Sequence, residues 1–190
     1  NNIDYSSINK NSKAYEVLTN LSSTKNNIIL DFNYTASTRL ILKQCGLSDE
    51  DIDNRLIKVH GEASNNDIIF GVEDNAGIKK EHVFLRKAYN IKYKALNFSE
   101  LYDRIKSVAI FGHSLGETDH TYFNKLFQES CMYNKFSTNN NKEFWLFYYK
   151  ENGYHCMMQQ LDSLTHNSLT SFRQYNRVNF INTDKEKVFI

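Results

Sequence analysis

Three short apolar stretches constrain this chain more than any other feature. Residues 27–32, 107–111 and 143–149 carry almost unbroken apolar centres, such as Ile28-Ile29-Leu30 and Phe144-Trp145-Leu146-Phe147. A strand wetted on one face alternates apolar and polar residues, so loss of the alternation marks a strand covered on both faces. Further strands are predicted over 55–60, 67–70 and 177–181. Between them, apolar residues recur at helical spacing over 10–21, 38–45, 81–89, 99–106 and 154–172. The clearest amphipathic stripe is Tyr122, Phe123, Leu126 and Phe127, in a helix that Thr118 is placed to cap. Residues 1–10 read as frayed, 47–54 as an acidic loop or one helical turn, 75–80 as loop and 139–141 as a turn. Strands alternating with helices predict one three-layer α/β domain over residues 1–190. Its sheet is largely parallel and flanked by helices, in a Rossmann-like arrangement.

Composition narrows the class of function. The 190 residues are 41% hydrophobic, enough for one core of ordinary size. A net charge of +1 argues against a general nucleic-acid binder held by a basic surface. The sequence shows no apolar run of the roughly 18 residues a membrane span needs and no leader pattern at its start. Cys45, Cys131 and Cys156 are odd in number and widely spaced, which suits a reducing, cytoplasmic setting and neither a zinc site nor a disulfide framework. Proline is absent and asparagine abundant, as an AT-rich coding sequence would produce. The first residue is Asn, which suggests a piece of a longer chain.

In parallel sheets, ligands bind in the crevice beyond the carboxyl ends of the strands. The chemically unusual residues fall there: Asn33-Tyr34-Thr35, His60-Gly61 and Gly112-His113-Ser114-Leu115-Gly116. If these strands are parallel neighbours, the three segments share one rim. The last segment matches G-x-S-x-G, the nucleophile elbow of serine hydrolases, in a strand-to-helix context. The remaining triad members have no suitable place, because Asp162 and His166 fall on one predicted helix. The same glycines would let a nucleotide approach the backbone, with Ser114 and a helix start donating hydrogen bonds. Neither G-x-G-x-x-G nor G-x-x-x-x-G-K-[ST] occurs. His60 has the titration range of a general base, or is a hydrogen-bonded histidine in a tight turn. Asn33 would position a ribose hydroxyl or water, or hold an Asx-type turn. His113, Asp119 and His120 lack the spacing of a helical metal motif, and no metal is expected. Glu73 and Asp74 read as a solvated loop.

Asp31-Phe32-Asn33-Tyr34-Thr35, Val59-His60-Gly61-Glu62, Ile68-Ile69-Phe70-Gly71 and Gly112–Asp119 with Tyr122-Phe123 together resemble the bacteriophage abortive infection AbiH family. The order and spacing of all four blocks agree across residues 28–127, with weaker similarity through the C-terminal strand and helix. Family members usually begin with a strand and a Gly-Asn-Gly-Phe-Asp segment, absent here, so the chain is similar to the C-terminal part of a longer member. The resemblance implies anti-phage defence, with a phage-derived trigger and an oligomer as partners to test. A more distant likeness to sirtuin-like NAD-binding domains implies NAD as cofactor and NAD hydrolysis as the activity of the full-length protein. On that likeness Asn33 and His60 would be catalytic, while Tyr34, Thr35, Gly61, Gly112, His113, Ser114 and Asp119 would bind the cofactor. A serine hydrolase using Ser114 and a non-catalytic recognition or assembly domain remain the alternatives.

Overall fold

A computed structural model describes residues 9–24, 26–72, 76–90, 104–132 and 141–184. The chain is α/β and divides into two compact units, one containing described residues 9–90 and the other 104–184.

In the first unit, helix α1 (Lys13–Ser23) starts where the Ser12 side chain accepts the Tyr15 N–H. Its C-terminal carbonyls are held from a distance in sequence: the Arg55 guanidinium donates to Leu21 O at 2.7 Å and to Thr24 O at 2.8 Å. Strands β1 (Ile29–Asp31) and β2 (Leu56–Lys58) pair in parallel, Asp31 opposite Lys58. Helix α2 (Ser37–Gln44) ends near Gly46, whose φ of +89° is the left-handed turn that stops it. The acidic stretch after it forms α3 (Asp49–Arg55). Ser48 caps this helix, three carboxylates lie in its positive first turn, and Arg55 lies in its last. Ile29, Leu42, Ile52 and Leu56 interlock as the core, with Leu18 and Leu47 packed against them.

The second unit is a parallel sheet in the order β3 (Ser107–Ile110), β4 (Glu143–Tyr148), β5 (Arg177–Asn182). Helix α4 (His120–Glu129) connects β3 to β4 in sequence and buries Tyr122, Phe123, Leu126 and Phe127, the predicted stripe. The Phe127, Phe144 and Phe172 rings meet with centroids 4.7–5.6 Å apart. Burying three rings together supplies both apolar area and favourable edge geometry.

Five local predictions change, the first being the helix expected over 99–106, whose described end at residues 104–106 is not helical. The helix expected over 154–172 is two helices, α5 (Lys150–Leu164) and α6 (Leu169–Tyr175), because His166 and Asn167 turn left-handed between them. Residues 67–70 are extended but form no strand pair; Ile69 N–H instead donates to the His60 carbonyl at 2.9 Å. Residues 81–89 form tight 3₁₀ turns (Lys80–Leu85 and Lys87–Tyr89) rather than an α-helix. Thr118 does not cap α4, because Glu117–Asp119 forms a 3₁₀ turn and the helix starts at His120. The predictions for residues 1–8, 99–103 and 139–140, and those for Glu73 and Asp74, lie outside the described residues.

Candidate functional site

Parallel pairing of β1 and β2 sends both chains out of the same end of the sheet, and their turns interlock there. Asp31, 3% exposed at its side chain, accepts the Asn33 N–H at 2.9 Å and the Asn33 side-chain amide at 3.3 Å. The Asx-type turn is therefore made by Asp31, with Asn33 as its donor. Lys58, opposite Asp31, sets its ammonium 2.9 Å from that carboxylate, and donates as well to the carbonyls of Asn33 and Thr35. All three ammonium protons thus have acceptors. The Thr35 hydroxyl meets Ser37 Oγ at 2.9 Å.

His60 is buried between the residues on either side of Asn33. The Phe32 ring meets it edge-on at 5.4 Å, and Tyr34 stacks on it at 6.0 Å. Tyr34 in turn touches the exposed Phe70 ring at 5.5 Å. Asn33 itself is exposed. Gly61, at φ +75°, could not carry a side chain, because a Cβ there would lie 2.1 Å from the Asp67 carbonyl. Its smallness serves the approach of residue 67, whose carboxylate accepts the Glu62 N–H at 2.6 Å. Asn33, Tyr34 and Thr35 thus meet His60 and Gly61 at one end of this sheet, two of the three segments that the sequence expected on a shared rim. The sequence missed Lys58, whose signal was its register opposite Asp31.

The loop after β3 is built differently. Leu115 is fully buried and left-handed, at φ +54°. Its N–H donates to His113 Nδ1 at 2.9 Å, and its carbonyl lies 3.0 Å from His120 Nε2. Because His113 Nδ1 is an acceptor, the ring proton sits on Nε2, which faces Asp119 Oδ2 at 3.3 Å. Both nitrogens of His113 are thereby engaged in holding the loop. His120 also meets Gln160 at 2.9 Å, His166 meets Gln128 and His155 meets Glu151. Ser114 is exposed, and among the described residues no histidine is hydrogen-bonded to it. A Cβ at Gly112 (φ +65°) would meet nothing within 4 Å, so this backbone, unlike Gly61, is open to approach. Gly112, His113, Ser114 and Asp119 belong to the second unit, and Asn33 and His60 to the first.

Among the described residues no group of three or more His, Cys, Asp or Glu side chains could hold a metal ion, and no helix is long and apolar enough to cross a membrane. A family model, bacteriophage abortive infection AbiH, matches residues 1–146. No curated protein and no solved structure matches the chain significantly.

Proposed function

The chain belongs to the bacteriophage abortive infection AbiH family, and from that premise we propose that its β1–β2 edge binds an NAD-type nucleotide during phage defence. One observation carries this reading: Phe32 and Tyr34, on either side of Asn33, both contact the buried His60 ring. An exposed amide and a shielded imidazole are thereby brought to one strand end. The donor set suits a ribosyl ligand. Asn33 would hold a ribose hydroxyl or a water, Thr35 would offer a second polar contact, and Tyr34 would cover the ring and exclude solvent.

An NAD-type nucleotide supplies a labile bond between nicotinamide and ribose. His60 would accept a proton from the group that Asn33 positions, once Tyr34 moves aside, since the imidazole is only 5% exposed. The Asp31–Lys58 pair keeps the turn in register, and its role is to position Asn33. On the second unit, Ser114 offers an exposed hydroxyl and Gly112 an open backbone to the same class of ligand.

The test is NAD content in bacteria that express the protein and are challenged with phage. NAD should fall with the wild type and persist with His60→Ala and Asn33→Ala at equal protein levels. NAD loss unchanged by both substitutions would remove these residues from any catalytic role. Protection from phage with no NAD loss at all would favour recognition without hydrolysis.

A further inference from the structure

A crevice lies at the carboxyl ends of β4 and β5, and none of the residues that the motifs marked line it. It is an open cleft of about 370 Å³ lined by Tyr148, Lys150, Glu151, Tyr154, Asn182 and Asp184. That volume is at the lower end of the roughly 300–1,000 Å³ usual for small-molecule sites.

Its floor is well defined. Tyr148 and Asn182 are register partners at the ends of their strands, and the Tyr148 carbonyl accepts both the N–H and the hydroxyl of Thr183, at 2.9 and 3.1 Å. Asn182 Oδ1 accepts the Asp184 N–H at 3.0 Å, so its amide NH₂ is the part left to donate into the crevice. The Tyr148 and Tyr154 rings lie 5.2 Å apart at 59°, and Phe180 backs Tyr154 at 5.5 Å. A supported tyrosine face suits the flat ring of a base.

The charges are arranged in opposition. Lys150 opens α5 in the left-handed region, at φ +56°, and no side chain caps the helix. Its ammonium lies 4.8 Å from the centre of the Tyr149 ring. A hydrogen bond to Tyr149, with the Asp184 carboxylate nearby, raises the Lys150 amine above its ordinary value. Lys150 and Asp184 offset each other, and Glu151 is solvated, so the crevice does not select strongly by net charge. It offers acceptors to hydroxyl groups, donors to an anion and a face to a ring.

We propose that this crevice is a binding site for a nucleoside or nucleoside monophosphate. The base lies against Tyr148 and Tyr154, the ribose hydroxyls donate to Asp184 and Glu151, and the 5′ oxygen or phosphate meets Lys150 and the open start of α5. The site lies within the second unit and does not depend on the Asn33–His60 reading, so either can fail alone.

The experiment is a ¹⁵N NMR titration of the chain with adenosine, adenosine 5′-monophosphate (AMP) and inorganic phosphate. Adenosine and AMP should both shift the amides of Tyr148, Lys150, Asn182 and Asp184 saturably, with AMP the tighter. Asp184→Asn should weaken both by about tenfold. Lys150→Gly, which suits the left-handed backbone, should abolish only the advantage of AMP. Unchanged spectra outside the crevice would show that both variants are folded. The proposal falls if phosphate alone reproduces the AMP shifts, if adenosine shows no saturation by about 5 mM, or if neither substitution alters binding.

Discussion

The two strand-end loops solve the same mechanical problem by different chemistry. After β1 the chain is anchored by charge: Asp31 and Lys58 form an ion pair beneath the turn, and Lys58 gathers two carbonyls as well. After β3 it is anchored by an apolar plug, Leu115, whose two backbone groups are each met by a histidine. The first arrangement leaves Asn33 exposed above a rigid base. The second leaves Ser114 exposed but commits His113 to structure. An elbow-like sequence is therefore insufficient for an elbow's chemistry: among the described residues no histidine is hydrogen-bonded to Ser114, and the adjacent His113 holds the loop instead.

Breaking the charged anchor should cost most. Lys58→Met strands a buried carboxylate, and a loss of about 3–5 kcal/mol in urea unfolding is expected. Asp31→Leu with Lys58→Met should recover much of it, since no unpaired charge remains. If the single variant loses no more than the double, the ion pair is not the anchor.

The plug comes next. Leu115→Ala should cost about 2–5 kcal/mol by leaving a cavity. Leu115→Gly loses the same packing but relieves the positive φ by roughly 1 kcal/mol. Thermal melts should therefore find the glycine variant no worse than alanine, whereas a clearly worse glycine would mean that the left-handed backbone carries no strain.

The smallest effect separates the two histidine-dependent hydrogen bonds from the plug itself. His113→Ala removes the acceptor of the Leu115 N–H and should cost about 1–3 kcal/mol. His113→Asn, with a carbonyl oxygen near the position of Nδ1, should restore part of the loss. Equal stability of the two variants would show that the ring serves by packing on Phe123, which it meets at 5.2 Å, and not by accepting a hydrogen bond.

Periodicity and apolar runs were enough to locate β1, β2, β3, β4 and β5, although the expected burial on both faces fails for β3, where Ser107 and Ala109 are exposed and only Ile110 is buried. The stripe of α4 was equally legible, since Tyr122, Phe123, Leu126 and Phe127 face one side at helical spacing. The break between α5 and α6 was harder to read: His166-Asn167 contains no glycine or proline, and Asn167, a residue that tolerates the left-handed region, was its one local signal. The pairing of residues 67–70 was not legible: their strand-like pattern satisfies one hydrogen bond to His60 rather than a sheet ladder.

By itself, then, the sequence determined the α/β class, the parallel strands, the family and the segments that gather at strand ends. These follow from local burial patterns and residue order. Only the tertiary structure decided what each side chain is free to do. It turned Asp31 and Lys58 into a buried pair, shielded His60 behind Tyr34, filled the space beside Gly61 with residue 67, and engaged both nitrogens of His113. It also formed a crevice from Tyr148, Tyr154, Asn182 and Asp184 that no motif announces. Partners separated by tens of residues are set by strand register and helix packing, and hydrogen-bond commitment is a property of those partners, not of the residue alone.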